Sequence, residues 1–322
     1  MALPDLLTDS LSLPVIASPL FIASTPTLVA AQCKAGVVGS FPALNARPEG
    51  MLDEWIEELA RELSAHRTAE PSAKVAPFAV NQIIHKSNAR LEKDMATCIR
   101  HRVPLLITSL AVPSDFIADI HAYGGLVLHD VTTVRHAEKA AAAGVDGLIL
   151  ICAGAGGHAG TTSPMALVGE IRRFFGGPLV LGGAIASGSA ILAALALGAD
   201  LAYIGTRFIA THEANADARY KQMIVDCGSA DIVYSSLFTG VNGNYLKPSI
   251  VASGLNPDAL ANGEPSALNF GGGNIKAWRD VWGAGQGTGN IDAVASVAEV
   301  VRQLRTEFAV AKGSLTLSSE KY

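Results

Sequence analysis

The sequence predicts an α/β protein built as a (β/α)8 TIM barrel, in which most strands are followed by a helix. Three observations support this fold class. Eight short apolar runs, each of strand length, lie between residues 13 and 205. Helical patterns separate most of these runs, and the runs are apolar throughout, as in parallel strands covered on both faces. A doubly wound sheet is the alternative, but that fold tends to have fewer units and an early phosphate loop.

The predicted elements alternate along the first two thirds of the chain. The apolar runs that predict strands cover residues 13–18, 37–40, 75–81, 104–109, 125–130, 146–152, 178–183 and 200–205. The segments that predict helices cover residues 25–36, 49–66, 87–102, 113–124, 132–144, 163–176 and 187–199. The sixth of these helices has a clear start, because Ser163 is a favoured N-cap residue and Pro164 is favoured at the first helical position.

The regular alternation stops after Phe208. A helix is expected over 211–228, and the region 235–274 that follows is rich in Gly, Asn, Ser and Pro. Long irregular regions of this kind often carry function. The predicted division is a barrel formed by 1–210 and 290–311, a smaller, partly helical cap or insertion for substrate over 211–289, and a loosely ordered tail over 312–322.

Composition and charge exclude several classes of function. The 322 residues are 49% hydrophobic and 16% charged, and a net charge of −5 gives no broad attraction to nucleic acid or anionic membranes. The N-terminus has no signal-peptide pattern, and no apolar run is long enough to span a bilayer. The four cysteines follow neither a metal-binding nor a disulfide spacing. We therefore expect a cytoplasmic protein that acts on small molecules, with its oligomeric state, a homodimer included, left open.

Two glycine-containing loops predict a phosphate site. In barrels of this kind the active site lies at the carboxyl ends of the strands, and phosphates often lie between the loops after strands seven and eight. Gly182 and Gly183 end the seventh predicted strand, while Gly205 and Thr206 follow the eighth. Small residues allow backbone N–H groups to approach an anion closely. Each loop alone is also typical of a tight turn, so the prediction depends on the two loops together.

The stretch CAGAGGHAG surrounds His158 with glycine and alanine. Gly154–Ala159 formally fits the G-x-G-x-x-A dinucleotide fingerprint, but no helix opens at once and no acidic residue follows at the required distance. We interpret the stretch as a backbone wall against a flat ligand, with His158 as a general base, since histidine titrates near neutral pH. A hydrogen-bonded structural histidine is the alternative. Metal binding is disfavoured, because no second ligand lies two to four residues away.

Other strand ends add polar groups. Asn81 follows the third strand, where its amide can donate and accept hydrogen bonds, and a simple turn role is the alternative. His129 ends the fifth strand and is expected in the mouth of the barrel. The stretch 277–289, rich in Trp, Gly and Gln, is interpreted either as part of the site or as a separate packing cluster.

Taken in order, the motifs resemble those of the nitronate monooxygenase family, formerly called 2-nitropropane dioxygenases. The resemblance extends over nearly the whole chain, and the combination of its glycine motifs is specific. The matching motifs are SP at 18–19, Asn81, VRHAEKA at 134–140, AGGHAG at 155–160, GGAIASG at 182–188, AALALGAD at 193–200, GTRF at 205–208 and GAGQG at 283–287.

The resemblance implies an FMN-binding barrel that oxidises alkyl nitronates with O2 to a carbonyl compound and nitrite. His158 would then be the catalytic base, and His129 is our candidate for a donor beside the reduced flavin. The implied cofactor contacts are Ala17 and Ser18 beneath the ring, Asn81 beside the ring or ribityl chain, Gly156 and Gly157 along the cofactor, Gly182, Gly183, Gly205 and Thr206 at the phosphate, and Gln286 from the insertion.

Several positions depart from the family pattern. Leu20 stands where many members carry Met, Asp130 where some carry Lys, and Ile151, Cys152 and Gly154 where many carry Gln or acidic residues. The cofactor glycines remain, so the departures concern substrate and oxidant. Three alternatives stay open: an FMN-dependent NAD(P)H:quinone or enoyl-thioester reductase, a flavin-free sugar-phosphate barrel enzyme, and a non-catalytic flavin- or nucleotide-binding module.

Overall fold

The computed structural model describes residues 3–260 and 279–319, and a barrel of eight parallel strands lies at its centre. Each barrel strand overlaps one of the predicted apolar runs. The barrel strands are β1 (Val15–Ala17), β2 (Gly39–Pro42), β3 (Phe78–Ile84), β4 (Leu105–Leu110), β5 (Leu126–Val131), β6 (Gly147–Ile151), β8 (Leu179–Gly182) and β9 (Leu201–Ile204).

The strands pair in the order β1-β9-β8-β6-β5-β4-β3-β2. Backbone hydrogen bonds between β1 and the start of β2 close the ring. The N–H of Ala17 donates to the carbonyl oxygen of Val38 at 2.7 Å, and the N–H of Val38 donates to that of Val15 at 3.1 Å. The predicted (β/α)8 barrel is therefore confirmed.

Helices follow the strands and cover the outside of the barrel. Several of them start at side-chain caps: Thr133 accepts a hydrogen bond from the N–H of His136, Ser187 accepts one from the N–H of Ala190, and Asp217 accepts one from the N–H of Arg219. The helices are α1 (Asp5–Thr8), α2 (Pro26–Lys34), α3 (Met51–Ala69), α4 (Leu91–Arg100), α5 (Ile117–Ala122), α6 (Val134–Ala142), α7 (Pro164–Arg172), α8 (Gly188–Ala196), α9 (Thr206–Ile209), α10 (Ala218–Asp226), α11 (Lys247–Ala252), α12 (Pro257–Leu260) and α13 (Val297–Ser319).

Side chains along each strand alternate between the barrel interior and the helix layer. The interior is apolar over most of its depth, where Ile16, Leu105 and Leu128 belong to one buried cluster. Toward the carboxyl ends of the strands, interior positions become polar or glycine, as at Asn81 and Gly182. The barrel thus has a packed body and a polar mouth.

A second, antiparallel sheet lies in the C-terminal region. It consists of β7 (Gly157–His158), β10 (Ile232–Ser235) and β11 (Gly243–Leu246), in the order β10-β11-β7. The sequence pattern misses all of these strands, because they are short and their apolar residues do not alternate over a sufficient length. The pairing of His158 with Gly243 joins the loop after β6 to this sheet.

Two predicted helices differ from the structure in extent. The helix expected from residue 211 begins at Ala218, because Thr211 instead forms a β-bridge with Ala295 and Asp217 caps the helix. The last helix, expected over 290–311, begins at Val297 and continues to Ser319, into the region expected as a tail.

Residues 261–278, which belong to the predicted cap over 211–289, lie outside the described residues, and the division into domains stays a prediction. No helix in the described ranges has the length and apolar character needed to cross a membrane.

Candidate active site

A cavity of about 350 Å³ opens at the carboxyl ends of the barrel strands. This is where active sites of the fold lie, and the volume is in the range of small-molecule sites. Most of the residues that the sequence singled out meet here. Those that line the cavity are Ser18, Asn81, Gly156, Gly157, His158, Gly182, Gly183, Gly205 and Thr206.

The loops after β8 and β9 form one wall of the cavity. The backbone N–H groups of Gly183 and Gly205 make no hydrogen bond to any part of the chain that the structure describes. Gly183 has a φ of +148°, and a Cβ atom there would lie 2.8 Å from the carbonyl oxygen of Ala153, so this position requires glycine. The Thr206 hydroxyl accepts a hydrogen bond from the N–H of Gly285 at 2.9 Å. Unpaired N–H groups at a cavity wall can bind an anion.

The glycines before His158 are required by close packing between backbones. The N–H of Gln286 donates to the carbonyl oxygen of Gly154 at 2.9 Å. A Cβ atom on Gly156 would lie 2.7 Å from the backbone nitrogen of Gly285. The glycine loop therefore borders the cavity on one side and the C-terminal segment around Gly285 on the other. It opens no helix, in agreement with our interpretation against a dinucleotide fingerprint.

His158 is held at the edge of the cavity by β7 and by the side chain of Thr239. Its Nε2 atom lies 2.9 Å from the hydroxyl oxygen of Thr239. That hydroxyl also lies 3.0 Å from the carbonyl oxygen of Val241, to which it can donate. With its proton on that bond, Thr239 accepts from Nε2 of His158, and the lone pair of the neutral ring is then on Nδ1. Although the side chain keeps substantial exposure, partial loss of hydration lowers the pKa of His158 and favours the neutral form.

A chain of polar side chains crosses the ends of β3, β4 and β5. The Asn81 amide donates to the Ser109 hydroxyl at 2.9 Å, and the Ser109 hydroxyl donates to Asp130 Oδ2 at 2.6 Å. All three residues line the cavity. The sequence analysis noted Asp130 only as a departure from a family pattern and missed Ser109. Strand alternation could have found Asp130, because it lies two residues after the interior residue Leu128.

Strand alternation also corrects the prediction for His129. Its side chain is buried outside the barrel interior, with Nδ1 2.8 Å from the Thr108 hydroxyl, and it does not line the cavity. Burial and the nearby His136 lower the pKa of His129 to about 4, so the ring is neutral at pH 7. A role as a donor to the cofactor is not supported by this position.

Two further predicted contacts lie away from the cavity wall. Ala17 is fully buried, and its N–H and carbonyl groups bond to Val38 and to the hydroxyl of Ser40, which closes the barrel. The side chain of Gln286 is exposed and lies over Gly154, although its glycine neighbours do line the cavity. The backbones of Gly154 and Gly285 pack closely against each other, and this packing turns the Gln286 side chain outward. A sequence motif does not show such a contact.

The cavity carries little charge. Among the described lining residues, the titratable side chains are Asp130, His158, Tyr203 and Tyr220, and no lysine or arginine is present. Burial raises the pKa of Asp130 to about 7 and, with Asp130 nearby, raises that of Tyr203 well above its usual range. No cluster of potential metal ligands occurs in the described residues. An anionic ligand would therefore be bound by backbone N–H groups rather than by side-chain cations.

Comparison with known proteins decides the family. The family model for nitronate monooxygenase matches residues 5–307. This chain belongs to the nitronate monooxygenase family. A nitronate monooxygenase from Paraburkholderia phytofirmans is 27% identical over 285 residues, which cover 76% of each chain. A Rhodococcus jostii dehydrogenase that acts on a hydroxy-methyl-oxo-octahydroindene-carboxyl-CoA is 27% identical and covers 74% of this chain and 64% of its own.

Two solved structures extend the similarity to the whole fold. FabK from Thermotoga maritima aligns with a TM-score of 0.77 and 26% identity, over 97% of both chains. A nitroalkane oxidase from Streptomyces ansochromogenes aligns with a TM-score of 0.73 and 25% identity, over 97% of this chain and 100% of the other. The protein is thus a flavin-dependent oxidoreductase of a family that oxidises nitronates or nitroalkanes. This result sets aside the flavin-free sugar-phosphate alternative.

Proposed function

We propose that the protein binds FMN in the barrel cavity and oxidises nitroalkanes and their nitronates with O2, giving a carbonyl compound and nitrite. The observation that carries this proposal is the presence, in one cavity, of an unpaired N–H cradle and an oriented neutral histidine. Family membership supports the reaction class. The choice of FMN and the role of each residue are supported by the chemistry of the site.

The residues fit a flavin that carries a phosphate. Gly183 and Gly205 have N–H groups that can donate to phosphate oxygens, and the glycine φ at Gly183 keeps that wall free of a side chain. Gly156 and Gly157 add a side-chain-free surface for a flat ring. Asn81 and Ser109 lie on the opposite part of the strand ring, where they can bond to the polar edge of that ring.

His158 supplies the base. A nitroalkane has an acidic C–H bond next to the nitro group. Neutral His158 accepts that proton at Nδ1, and the C–H electron pair moves into the nitro group to form the nitronate anion. When the Thr239 hydroxyl donates to Val241, it accepts from Nε2 and leaves the lone pair on Nδ1. The resulting imidazolium then lies beside a nitronate of opposite charge, which favours the proton transfer.

Bound FMN supplies the redox chemistry that carries electrons between the nitronate and O2. The protein contributes binding, orientation and partial exclusion of water. The backbone packing between Gly154 and Gln286 closes one side of the cavity, and the bond from Asn244 Nδ2 to the carbonyl oxygen of Ala155, at 2.6 Å, fixes the glycine loop from the second sheet.

The variant His158→Asn tests this assignment. A general base contributes about 10²–10⁴-fold, and only where a proton must be removed. We expect His158→Asn to lose activity by that factor on neutral nitroethane and by much less on pre-formed ethyl nitronate, as measured by nitrite release. For the wild type on nitroethane, kcat/KM should fall only as the pH drops through a pKa below 6.5, since partial burial lowers the pKa of His158.

The control is His121→Asn, which removes an exposed imidazole that bonds to Asp146 on the outside of the barrel. This control should retain activity on both substrates, and FMN content should stay unchanged in both variants. Equal losses of His158→Asn on the two substrates would make His158 a binding residue instead of a base.

An FMN-dependent reductase is the second candidate. The similarity to the CoA-ester dehydrogenase and to FabK, at identities close to those of the nitronate relatives, favours keeping it. Anaerobic mixing separates the two functions. A reductase predicts that NAD(P)H bleaches the flavin absorbance rapidly, whereas our proposal predicts rapid bleaching by a nitronate.

A further inference from the structure

Asp130 is a half-buried residue whose carboxyl group has too few partners for a carboxylate. It lies near the end of β5 on the interior side and lines the cavity. Its Oδ2 atom accepts the Ser109 hydrogen bond, while the buried Oδ1 atom has no hydrogen-bond partner among the described residues. Buried carboxylates normally have several donors or a cation beside them. Asp130 has one neutral donor, and one of its oxygens is left without a partner at the wall of the cavity.

The direction of the hydrogen bonds is fixed by Asn81. The Asn81 amide donates to the Ser109 oxygen, so the Ser109 proton is directed to Asp130 Oδ2. If Asp130 is protonated, its own proton is therefore carried by Oδ1, the unpartnered oxygen of this cavity-lining residue.

Among the residues that the structure describes, no positive charge compensates Asp130. Tyr203 on β9 is the titratable group that faces it, and the adjacent β6 contributes the apolar Ile151. His158 lines the same cavity and is favoured in its neutral form. His129, next in sequence, lies on the other face of β5 and is neutral at pH 7. A bound phosphate would add negative charge to the cavity and would further oppose ionisation of Asp130.

The polar chain extends from the far side of the barrel mouth toward the glycine cradle. The cradle follows β8 and β9. Asn81 and Ser109, on β3 and β4, lie about halfway round the ring of strands from it, whereas Asp130, on β5, is separated from β8 by the single strand β6. A ligand with a phosphate at one end and a polar heterocycle at the other spans this distance across the mouth. The edge of the isoalloxazine ring offers mostly carbonyl oxygens and ring nitrogens, which accept hydrogen bonds.

We propose that Asp130 binds the flavin as a neutral carboxylic acid, donating a hydrogen bond from Oδ1 to an acceptor on the edge of the isoalloxazine ring. This inference rests on the proposed FMN site. The donor is an uncharged carboxyl group, at a position where some family members carry lysine. Its proton, and with it the hydrogen bond, is lost at alkaline pH. FMN affinity should then depend on the protonation of this one side chain.

The test is the dissociation constant of FMN from the apoprotein between pH 6 and pH 9, measured by quenching of flavin fluorescence. For the wild type, Kd should rise by up to about tenfold per pH unit above pH 7, where burial places the pKa of Asp130. Asp130→Asn keeps a neutral donor, so its Kd should be nearly constant above pH 7 and close to the wild-type value at pH 6. Asp115→Asn, which changes an exposed acid, should follow the wild type.

The second readout needs no flavin. Because the pKa of Asp130 is raised from 3.8 to about 7 in the folded state, the folded apoprotein loses stability as the pH rises from about 4 to about 7, and the full loss persists above pH 7. Apo Asp130→Asn should therefore gain melting temperature relative to the wild type at pH 8, and gain less at pH 5.

The possible outcomes are distinct. No FMN binding at pH 6 would overturn the proposed cofactor. Two other results would leave the cofactor in place and overturn only the role of Asp130. One is FMN binding at pH 6 with a wild-type Kd that does not change with pH. The other is a Kd that rises with pH in Asp130→Asn as it does in the wild type. Affinity that increases above pH 7 would show a carboxylate that accepts a hydrogen bond, and would also refute the proposal.

Discussion

The phosphate cradle can be tested at one atom with Gly183→Ala. At a φ of +148° a side chain is strained, and the new Cβ atom would lie 2.8 Å from the carbonyl oxygen of Ala153, so the backbone must shift. A shift that removes the Gly183 N–H from a phosphate oxygen costs one charge-assisted hydrogen bond, about 1.5–3 kcal/mol. At about 1.4 kcal/mol per factor of ten, the FMN affinity should fall about 10–150-fold.

Comparison of FMN with riboflavin separates the cradle from general damage. Riboflavin has the same ring without the phosphate, so its affinity should change much less in Gly183→Ala. Both ligands are titrated into apoprotein, and the ratio of their dissociation constants is compared with that of the wild type. The matched control is Gly169→Ala in α7, where a Cβ atom meets open space and both affinities should be unchanged.

Two results would refute this reasoning. An unchanged FMN affinity in Gly183→Ala would show that the phosphate is bound elsewhere. Equal weakening of FMN and riboflavin would show that Gly183 shapes the ring site and not a phosphate site. The melting temperature of the apoprotein, which is expected to fall by several degrees or less, measures the strain separately.

Further substitutions test the surroundings of the site. Thr239→Val should lower nitroethane turnover about 3–10-fold through the loss of one hydrogen bond to His158, whereas Thr239→Ser should retain it. Gln286→Ala should leave FMN affinity unchanged, because the side chain points away from the cavity, while Gly285→Ala should weaken it by a backbone clash at 2.7 Å. His129→Gln should lower the free energy of unfolding by about 1 kcal/mol, measured by urea denaturation, without changing FMN affinity.

The barrel could be predicted because the pattern that indicates each strand or helix lies within a short stretch of the sequence. Eight apolar runs and the helices between them define the strands, and the rule that active sites lie at the carboxyl strand ends selects nine of the residues that line the cavity. Gly183 and Gly205 are examples, since their neighbours in sequence already define their place. Other lining residues on strands, such as Ser109 and Tyr203, were not found in this way.

The failures have two physical causes. His129 was misplaced because the side-chain alternation of β5 was not followed, although Leu128 and Asp130 define it. Thr239 could not be foreseen, because its contact with His158 depends on pairing between strands of two and four residues that are 85 positions apart at the His158–Gly243 pair. Short strands carry little periodic signal, and their pairing depends on tertiary packing.

Four of the five departures of this chain from the family pattern line the cavity: Leu20, Asp130, Ile151 and Gly154. They do not all lie far from the glycine cradle, since a Cβ atom on Gly205 would lie 3.4 Å from Leu20 Cδ2. Asp130 and Ile151 lie on the neighbouring strands β5 and β6, two strands and one strand away from β8. Because Gly183 and Gly205 still match the family motifs, we expect the cradle to keep its role in the proposed phosphate site. We expect Leu20, Asp130 and Ile151 to change substrate preference and the environment of the bound flavin.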